Sequence, residues 1–333
     1  MKRIISKDFE QFAEALPTLE GRYILRTRQS HDWRLRLLDL NGVTLMTGRE
    51  GAGRIYTGST RDSFHAFSLL SGGESITHNG ARLDRHEVLW CPPGSLFHAV
   101  TERPIRWLNL AVSVDLVWEW ARAHADEFDS ALLDRSLTRR GAQAAAPLIR
   151  LAHRLFQIDA QSSELLRTPA AERAARNEVL GCLFRALRPS DTSERPAERT
   201  CANRLRVLGK AIDLVASLQD RAVRMEDFCA AAGASERTLR NVFRECLGMS
   251  PHHYVMAHRL HAIRSAIRAA GPQDTVTTIC SQFGVWDFGR LAKQYKAQFG
   301  ELPSQSLQAG RQLPALRAPI ARHAPRLGAL ASR

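Results

Sequence analysis

The C-terminal part of the chain contains the same helix-turn-helix pattern twice. The segment Phe243-Arg-Glu-Cys-Leu-Gly-Met-Ser-Pro251 is echoed by Tyr295-Lys-Ala-Gln-Phe-Gly-Glu-Leu-Pro303 at an offset of 52 residues. Upstream of each turn the offset is 51, as in the pair Gly233 and Gly284, so a one-residue insertion falls in the turn, where it costs least. Two such units in one segment predict a fold that presents two helices to neighbouring stretches of a DNA groove.

The charge of the chain is concentrated in the half that carries the repeat. A length of 333 residues, 44% of them hydrophobic, is enough for two domains with their own cores. Residues 201–333 have a net charge of +10, whereas residues 1–200 have a net charge of +3. This asymmetry favours a polyanion as partner of the C-terminal half and leaves the N-terminal half suited to a small molecule or a protein.

The N-terminal half reads as short strands joined by tight turns. The dipeptides Asn41-Gly42 and Asn79-Gly80 each separate two strand-like runs, which is a strong hairpin signal. Such a pattern predicts a small antiparallel barrel or sandwich between about Trp33 and Val114. Beyond it lie two amphipathic helices, which either dock on the strands or pair with a second chain. Their apolar faces consist of Leu148, Leu151, Ala152, Leu155 and Phe156, and of Val179, Leu180, Leu183, Phe184 and Leu187.

Composition marks the boundaries between the parts of the chain. Residues 188–202 are rich in Pro, Ser and charge, so they read as a linker between a sensor or dimerisation domain, 1–187, and a DNA-binding domain, 203–309. Residues 310–333 contain arginines and prolines but no acid. They are expected to form a disordered basic tail, which either adds phosphate affinity or is an inert end.

The first unit is equipped to read bases. Helical spacing puts Leu239, Val242, Phe243, Cys246 and Leu247 on one buried face of a helix whose N-cap is Ser235. Arginine bonds guanine bidentately and asparagine bonds adenine, so the opposite face is a predicted reading surface, although a solvated helix face is also usually charged. That face consists of Arg237, Arg240, Asn241 and Arg244.

The second unit has a different outward face. Its helix is capped near Asp287, with a predicted buried face of Phe288, Leu291, Gln294, Tyr295, Gln298 and Phe299. Lysines on the outward side suit phosphates, which position a protein without specifying sequence. The predicted DNA-contacting residues here are Gly289, Arg290, Lys293 and Lys296.

A predicted connector helix joins the two units. It begins at Pro251 and runs to about Ala270. Twenty residues span roughly 30 Å, close to the ~34 Å between successive major grooves on one face of a duplex. Three arginines on this helix, Arg259, Arg264 and Arg268, either contact phosphates or merely solvate it.

Residues 204–309 resemble the DNA-binding domain of the AraC/XylS family of bacterial transcription regulators. The resemblance rests on Gly-Ala-Ser-x-Arg-Thr-Leu-Arg-x-x-Phe at 233–243, Leu-Gly-Met-Ser-Pro at 247–251 and Phe-Gly-x-x-Pro at 299–303. The run Gly-Val-Trp-Asp-Phe-Gly-Arg-Leu at 284–291 resembles, more weakly, the subgroup around the ethanolamine-operon regulator. Family members often carry polar residues where this chain has Gly289 and Ala292, which weakens the case for base reading by the second unit.

The resemblance implies an α+β protein of two domains. The expected N-terminal domain is a cupin-like antiparallel β-barrel with flanking helices, and the expected C-terminal domain is all-α, with seven helices and a double helix-turn-helix. Stretches at 64–70, 79–80 and 89–94 look like the family's sensor barrel. The implied function is sequence-specific transcription regulation, with activation favoured over repression. The implied partners are double-stranded promoter DNA, a small-molecule effector, a second copy of the chain and RNA polymerase.

No residue can be assigned to the effector from the sequence. Six aromatic or imidazole side chains either line a pocket or, as aromatics at strand spacing more often do, form the core. These are Trp33, Phe67, Trp90, Phe97, His98 and Trp107.

Enzymatic and metal sites are not predicted, and no cofactor is expected. The histidines of the strand-rich segment, His65, His78, His86 and His98, include no His-x-His pair that would favour a metal. The glycine-rich run at 48–53 lacks the pattern of a phosphate loop or a dinucleotide fold. Cys91 follows no basic or histidine cluster that would activate a nucleophile. The six cysteines contain no Cys-x-x-Cys pair, which fits a reducing compartment.

The sequence therefore favours a transcription regulator located in the cytoplasm with the nucleoid, not in a membrane. No secretory signal or apolar run of membrane-spanning length is present. A constitutive or architectural DNA-binding protein with an N-terminal dimerisation scaffold is the alternative, and a footprint over a defined promoter would distinguish it from a sequence-specific regulator.

Overall fold

The computed structural model describes residues 2–312, apart from 7, 18, 31, 71–73, 84–86, 125–132, 135–136, 141, 163, 189–198 and 218–223. The chain has a β-rich N-terminal half and a helical C-terminal half, as predicted. Most of the predicted linker, the residue His86 and positions 313–333 of the predicted tail lie outside the described residues.

Two antiparallel sheets make up the core of the N-terminal half. One has seven strands in the order β1-β3-β4-β11-β6-β9-β12, and the other has five in the order β2-β5-β10-β7-β8. The strands are β1 (Lys2–Ser6), β2 (Leu19–Leu25), β3 (Trp33–Asp39), β4 (Val43–Arg49), β5 (Arg54–Thr60), β6 (Phe64–Leu70), β7 (Ile76–His78), β8 (Ala81–Leu83), β9 (Glu87–Cys91), β10 (Leu96–Val100), β11 (Arg106–Ser113) and β12 (Leu137–Arg140).

The prediction of a closed barrel is wrong for the described residues, because the two sheets remain separate. Hairpins are fixed locally: Asn41 and Gly42 have φ of 51° and 95°, and Asn79 and Gly80 have φ of 52° and 83°, which are turns that need left-handed backbone. Closure instead depends on pairing between edge strands far apart in sequence, which turn chemistry does not specify. The cupin-like topology stays a prediction.

Three helices of the N-terminal half pack on the seven-stranded sheet: α2 (Val114–Ala123), α3 (Ala142–Gln161) and α4 (Pro169–Leu187). A fourth, α1 (Phe9–Glu14), lies against β1, β2 and β3. The apolar faces of α3 and α4, including Leu148 and Phe184, share one core with Phe67, Trp90 and Leu110 of the sheet. Of the two alternatives for these helices, docking on the strands of the same chain is therefore the one observed.

The C-terminal half consists of helices that follow the predicted order. They are α5 (Arg199–Ser217), α6 (Met225–Ala232), α7 (Glu236–Leu247), α8 (Pro251–Arg268), α9 (Val276–Gln282), α10 (Phe288–Phe299) and α11 (Pro303–Gln312). Helix α5 begins five residues before the predicted start at Arg204, inside the predicted linker, and α11 includes the first three residues of the predicted tail, 310–312. Composition marked both boundaries only approximately, because helix ends depend on packing as well as composition.

The two halves pack against each other along two apolar clusters. In one, Phe9 and Phe12 of α1 lie with Ile263 of α8 and Phe299 of α10. In the other, Ile24, Ile55 and Val100 of the five-stranded sheet lie with residues of α5, α6 and α7. This contact fixes the orientation of the helical half relative to the sheets. No helix within the described ranges is long and apolar enough to cross a membrane.

Candidate DNA-binding surface

Helices α6 and α7 form the first helix-turn-helix. The turn passes through Gly233 in left-handed backbone, with φ of 61°, and Ser235 caps α7 by accepting a hydrogen bond from the backbone N–H of Thr238 at 3.2 Å. The whole predicted inner face of α7 is buried. The cap and the spacing of apolar residues thus determine which side of α7 faces outward.

The predicted reading face of α7 is open to solvent. All four residues proposed for it, Arg237, Arg240, Asn241 and Arg244, are exposed. One acidic neighbour was missed: Glu236 accepts from Arg240 at 2.6 Å, with both side chains 53% exposed. The i,i+4 spacing of a glutamate and an arginine was the available signal. An exposed pair of this kind contributes little to stability, so Arg240 can leave Glu236 for DNA at small cost.

Helices α9 and α10 form the second unit on the same plan. Gly284 has φ of 63°, and Asp287 caps α10 by accepting from the backbone N–H of Arg290 at 2.9 Å. Of the predicted inner face, Leu291, Tyr295 and Phe299 are buried. The other three predicted members are only partly buried: Phe288, Gln294 and Gln298.

The outward face of α10 carries two lysines, one arginine and one glycine. The predicted residues Gly289, Arg290, Lys293 and Lys296 are exposed. Trp286, which is not among the predicted DNA-contacting residues, is 75% exposed and lies directly before Asp287, the cap of α10. The two units therefore share a fold but present different chemistry.

The connector α8 has 18 residues and a length of about 27 Å. Two of its arginines, Arg264 and Arg268, are buried, with exposed fractions of 1% and 7%. They are therefore placed neither to contact phosphates nor to solvate the helix, and both predicted alternatives are wrong for them. Arg259 is partly buried and donates to the carbonyl of Phe283. The outward-facing positive charge of the C-terminal half thus lies on α7 and α10 more than on the connector.

Arg264 and Arg268 instead form an ion-pair cluster with α1. Arg264 donates to Asp8 Oδ2 at 2.8 Å and to Glu301 Oε1 at 2.9 Å, and Arg268 contacts Asp8 and, at 2.9 Å, Glu10. Burial alone would raise the pKa of Asp8, but the charges of Arg264 and Arg268 outweigh it and lower that pKa. For Glu10, burial prevails and raises the pKa.

Histidines and glutamines complete the contact between the halves. His261 Nε2 accepts from the backbone N–H of Leu25 at 3.0 Å, and His258 contacts Arg22. Gln298 donates to the carbonyl of Leu25. Burial lowers the pKa of His258 to about 3 and that of His261 well below its ordinary value, with nearby arginines adding to the effect. Both histidines are therefore neutral near pH 7.

The N-terminal half contains a cavity of about 90 Å³ between its two sheets. Of the six side chains weighed for a pocket, Phe97 and Trp107 line it. Trp33, Phe67 and Trp90 are fully buried and belong to the core. His98 is buried, and its Nδ1 lies 3.1 Å from Thr57 Oγ1.

Four of the residues weighed for catalysis or metal binding, His65, His78, His98 and Cys91, are buried in this half. Burial lowers the pKa of His65 and His78 to about 4 and that of His98 to about 3, while Cys91 is buried in the lining of the cavity. Across the described part of the chain, no group of three or more His, Cys, Asp or Glu side chains is placed to hold a metal ion.

Comparisons with known proteins match the C-terminal half. A family model described as a helix-turn-helix domain matches residues 228–309. The XylDLEGF operon transcriptional activator of Pseudomonas putida is 32% identical over 89 residues, which are 26% of this chain and 28% of that protein. The regulatory protein HrpB of Ralstonia nicotianae is 31% identical over 83 residues, 24% of this chain and 17% of that protein. The matched segment thus spans less than a third of either relative.

Two solved structures are also similar to the chain. A probable AraC family transcriptional regulator from Rhodopseudomonas palustris is 27% identical, with a TM-score of 0.29, and the match covers 31% of this chain and 96% of that protein. The AraC-like transcriptional activator CuxR is 15% identical, with a TM-score of 0.38, and the match covers 78% of this chain and 93% of that protein.

Proposed function

We propose, on the premise that the chain belongs to the AraC/XylS family of transcription regulators, that it activates transcription by binding promoter DNA through both helix-turn-helix units. The observation that carries the proposal is the pair of capped recognition helices, α7 and α10, whose outward faces are exposed and basic. Basic helix faces of this kind supply phosphate affinity and base contacts together.

In this proposal the first unit contacts bases and the second unit contacts phosphates. Helix α7 offers Arg237, Arg240, Asn241 and Arg244, which have the hydrogen-bonding groups to distinguish base pairs in the major groove. Helix α10 offers Lys293 and Lys296 beside Gly289, which suits contacts to phosphate. The 18-residue connector α8 is about 27 Å long, which is comparable to the ~34 Å between successive major grooves on one face of a duplex and supports binding to neighbouring turns.

The N-terminal half is proposed to regulate this binding in response to a small-molecule effector. The β7–β8 hairpin lines the cavity through Ile76, His78 and Leu83. Its turn lies against α7, since a Cβ at Gly80 would be 3.4 Å from Cys246 Sγ. A ligand that shifts the hairpin therefore acts directly on the helix that reads bases. Dimerisation and contact with RNA polymerase remain expectations of the family resemblance.

DNA binding is tested with a site selected from random duplexes and then examined by footprinting. Arg240→Ala should weaken binding to the selected site by about 1–3 kcal/mol and relax the preference at one base position. Lys293→Ala should weaken selected and random duplexes alike, and lower the slope of log affinity against log salt by about one. Arg150→Ala, an exposed arginine on α3, is the matched control and should change neither quantity.

Two outcomes would contradict the proposal. Uniform coating of random duplexes, with no selected site, would favour the architectural alternative. Unchanged affinity and specificity in Arg240→Ala would show that this face of α7 does not read bases, and that the specificity has to come from another surface.

A further inference from the structure

The cavity of the N-terminal half lies between the inner faces of the two sheets. Its wall is mostly apolar and includes side chains from β2, β4 to β11 and the segments that join them. Tyr56, Phe97 and Trp107 supply aromatic surface, while Leu70 and Ile76 supply aliphatic surface. Burial of apolar ligand surface against such a wall is favourable at about 25 cal/mol per Å².

One charged pair lies in the wall, and its charges already satisfy each other. Arg54 holds both carboxylate oxygens of Glu50, at 2.7 and 3.0 Å. Trp107 Nε1 donates to the same carboxylate at 3.0 Å, and Arg54 also donates to the carbonyl of Ala99 at 2.7 Å. The positive charge of Arg54 is thus committed to Glu50, and Glu87 adds a second buried carboxylate to the lining.

Among the described residues that line the cavity, His78 has a buried ring nitrogen without a hydrogen-bond partner. It is 8% exposed, its ring stacks on Phe97 with centroids 5.5 Å apart, and its Nε2 has no hydrogen-bond partner among the residues that the structure describes. Burial keeps its pKa at about 4, so the ring is neutral near pH 7. A buried polar atom without a hydrogen-bond partner is unfavourable, and a ligand that bonds it removes that cost.

We infer that this cavity binds a small uncharged ligand that is mostly apolar and carries one hydroxyl or carbonyl group hydrogen-bonded to His78. The inference names the effector class of the proposed function and in that sense rests on it. A carboxylate ligand is disfavoured because it would be buried beside Glu50 and Glu87, and the described lining offers no cation besides Arg54, which is held by Glu50. An ammonium ligand would lose its hydration against a mainly apolar wall in which Glu50 is already paired with Arg54.

The volume of the cavity limits the size of the ligand. A dry cavity of roughly 150 Å³ holds the six carbons of benzene, so a cavity of about 90 Å³ admits a ligand of about four heavy atoms. Three probes of about four heavy atoms each differ chiefly in charge: 2-propanol, isopropylammonium and acetate. Their binding to the full chain is measured near pH 7 by ligand-observed NMR titration, without DNA.

The uncharged probe, 2-propanol, is expected to bind at least tenfold more tightly than either ion. In His78→Leu, which keeps the volume and removes the hydrogen bond, its affinity should fall about three- to tenfold. In Ala66→Leu, which fills the lining from β6, binding should be lost, while circular dichroism verifies that both variants fold.

Any of four results would overturn the inference. They are equal or tighter binding of the carboxylate or of the ammonium probe, no saturable binding of 2-propanol at millimolar concentration, unchanged affinity in His78→Leu, or binding that survives Ala66→Leu. Because the titration contains no DNA, failure of the promoter footprint with intact 2-propanol binding would remove the proposed function and leave the ligand site standing.

Discussion

Arg264 is enclosed by two aromatic rings and three carboxylates, so its charge is compensated only while the two halves of the chain are packed together. Its guanidinium lies 5.1 Å from the ring centre of Phe9 and 4.9 Å from that of Phe299. Asp8 and Glu301 accept its hydrogen bonds. Such an enclosed cation is held by groups from both ends of the sequence.

Replacing Arg264 tests this arrangement at the level of one side chain. Arg264→Met keeps much of the volume but leaves Asp8 and Glu10 with Arg268 as their remaining cation, so the free energy of unfolding should fall by about 3–5 kcal/mol. Urea denaturation measures the change. Arg237→Met, on the exposed face of α7, should stay within about 0.5 kcal/mol of wild type. Equal effects of the two substitutions would show that the ion-pair cluster does not hold the halves together.

The role of Arg264 could not be read from the sequence, whereas that of Ser235 could. Ser235 bonds a backbone N–H three residues away, so its function as a cap is contained in local spacing. Arg264 bonds Asp8, 256 residues away, and nothing in the helical pattern of α8 distinguishes a buried arginine from a solvated one. The outward faces of both recognition helices were predictable for the same local reason as the cap.

Strands β2 and β5 approach each other more closely than side chains would allow. A Cβ on Gly58 would lie 2.1 Å from the carbonyl oxygen of Glu20 and 2.8 Å from Gly21 Cα. The two glycines therefore permit the register in which Gly21 of the edge strand β2 pairs with Gly58 of β5. Hairpin turns were predictable from Asn-Gly pairs. The close approach of β2 and β5, and the division of the strands into two separate sheets, depend on strands that are distant in sequence.

Gly58 and Gly181 form a matched pair of glycines for testing these elements. Gly58→Ala forces β2 away from β5 and should lower the free energy of unfolding by about 1–3 kcal/mol. Gly181→Ala, inside α4 with nothing within 4 Å of the new Cβ, should raise it by about 0.5–1 kcal/mol. Both are measured by urea denaturation. A stable Gly58→Ala variant with unchanged sheet content would contradict the close strand approach.

The contact between the two halves gives the whole molecule a dependence on pH. His261 on α8 accepts a hydrogen bond from Leu25 of β2, which requires an unprotonated Nε2, and His258 lies beside Arg22 of the same strand. Arg264 and Arg22 add positive charge around His261. Protonation of either histidine would place a further cation in this contact and remove an acceptor from it.

The direction of the pH effect follows from the lowered pKa values of these histidines. A histidine whose pKa is about 6.5 when unfolded and about 3 when folded takes up protons preferentially in the unfolded state. Its stabilising effect is complete above pH 6.5 and is lost progressively as the pH falls toward the folded value. Between pH 7.5 and 5.5, His258 alone should lower the free energy of unfolding by about 1 kcal/mol, and His261 should act in the same direction.

Urea denaturation at pH 7.5 and 5.5 measures this loss, and His261→Gln should make it smaller, because glutamine keeps a polar group without a charge to gain. His253→Gln is the control, since His253 is exposed at the start of α8 and should leave the difference between the two pH values unchanged. If His261→Gln and His253→Gln alter that difference equally, protonation of the contact between the halves is not its cause. If only His261→Gln reduces it, acid separates the recognition helices from the sheets that support them.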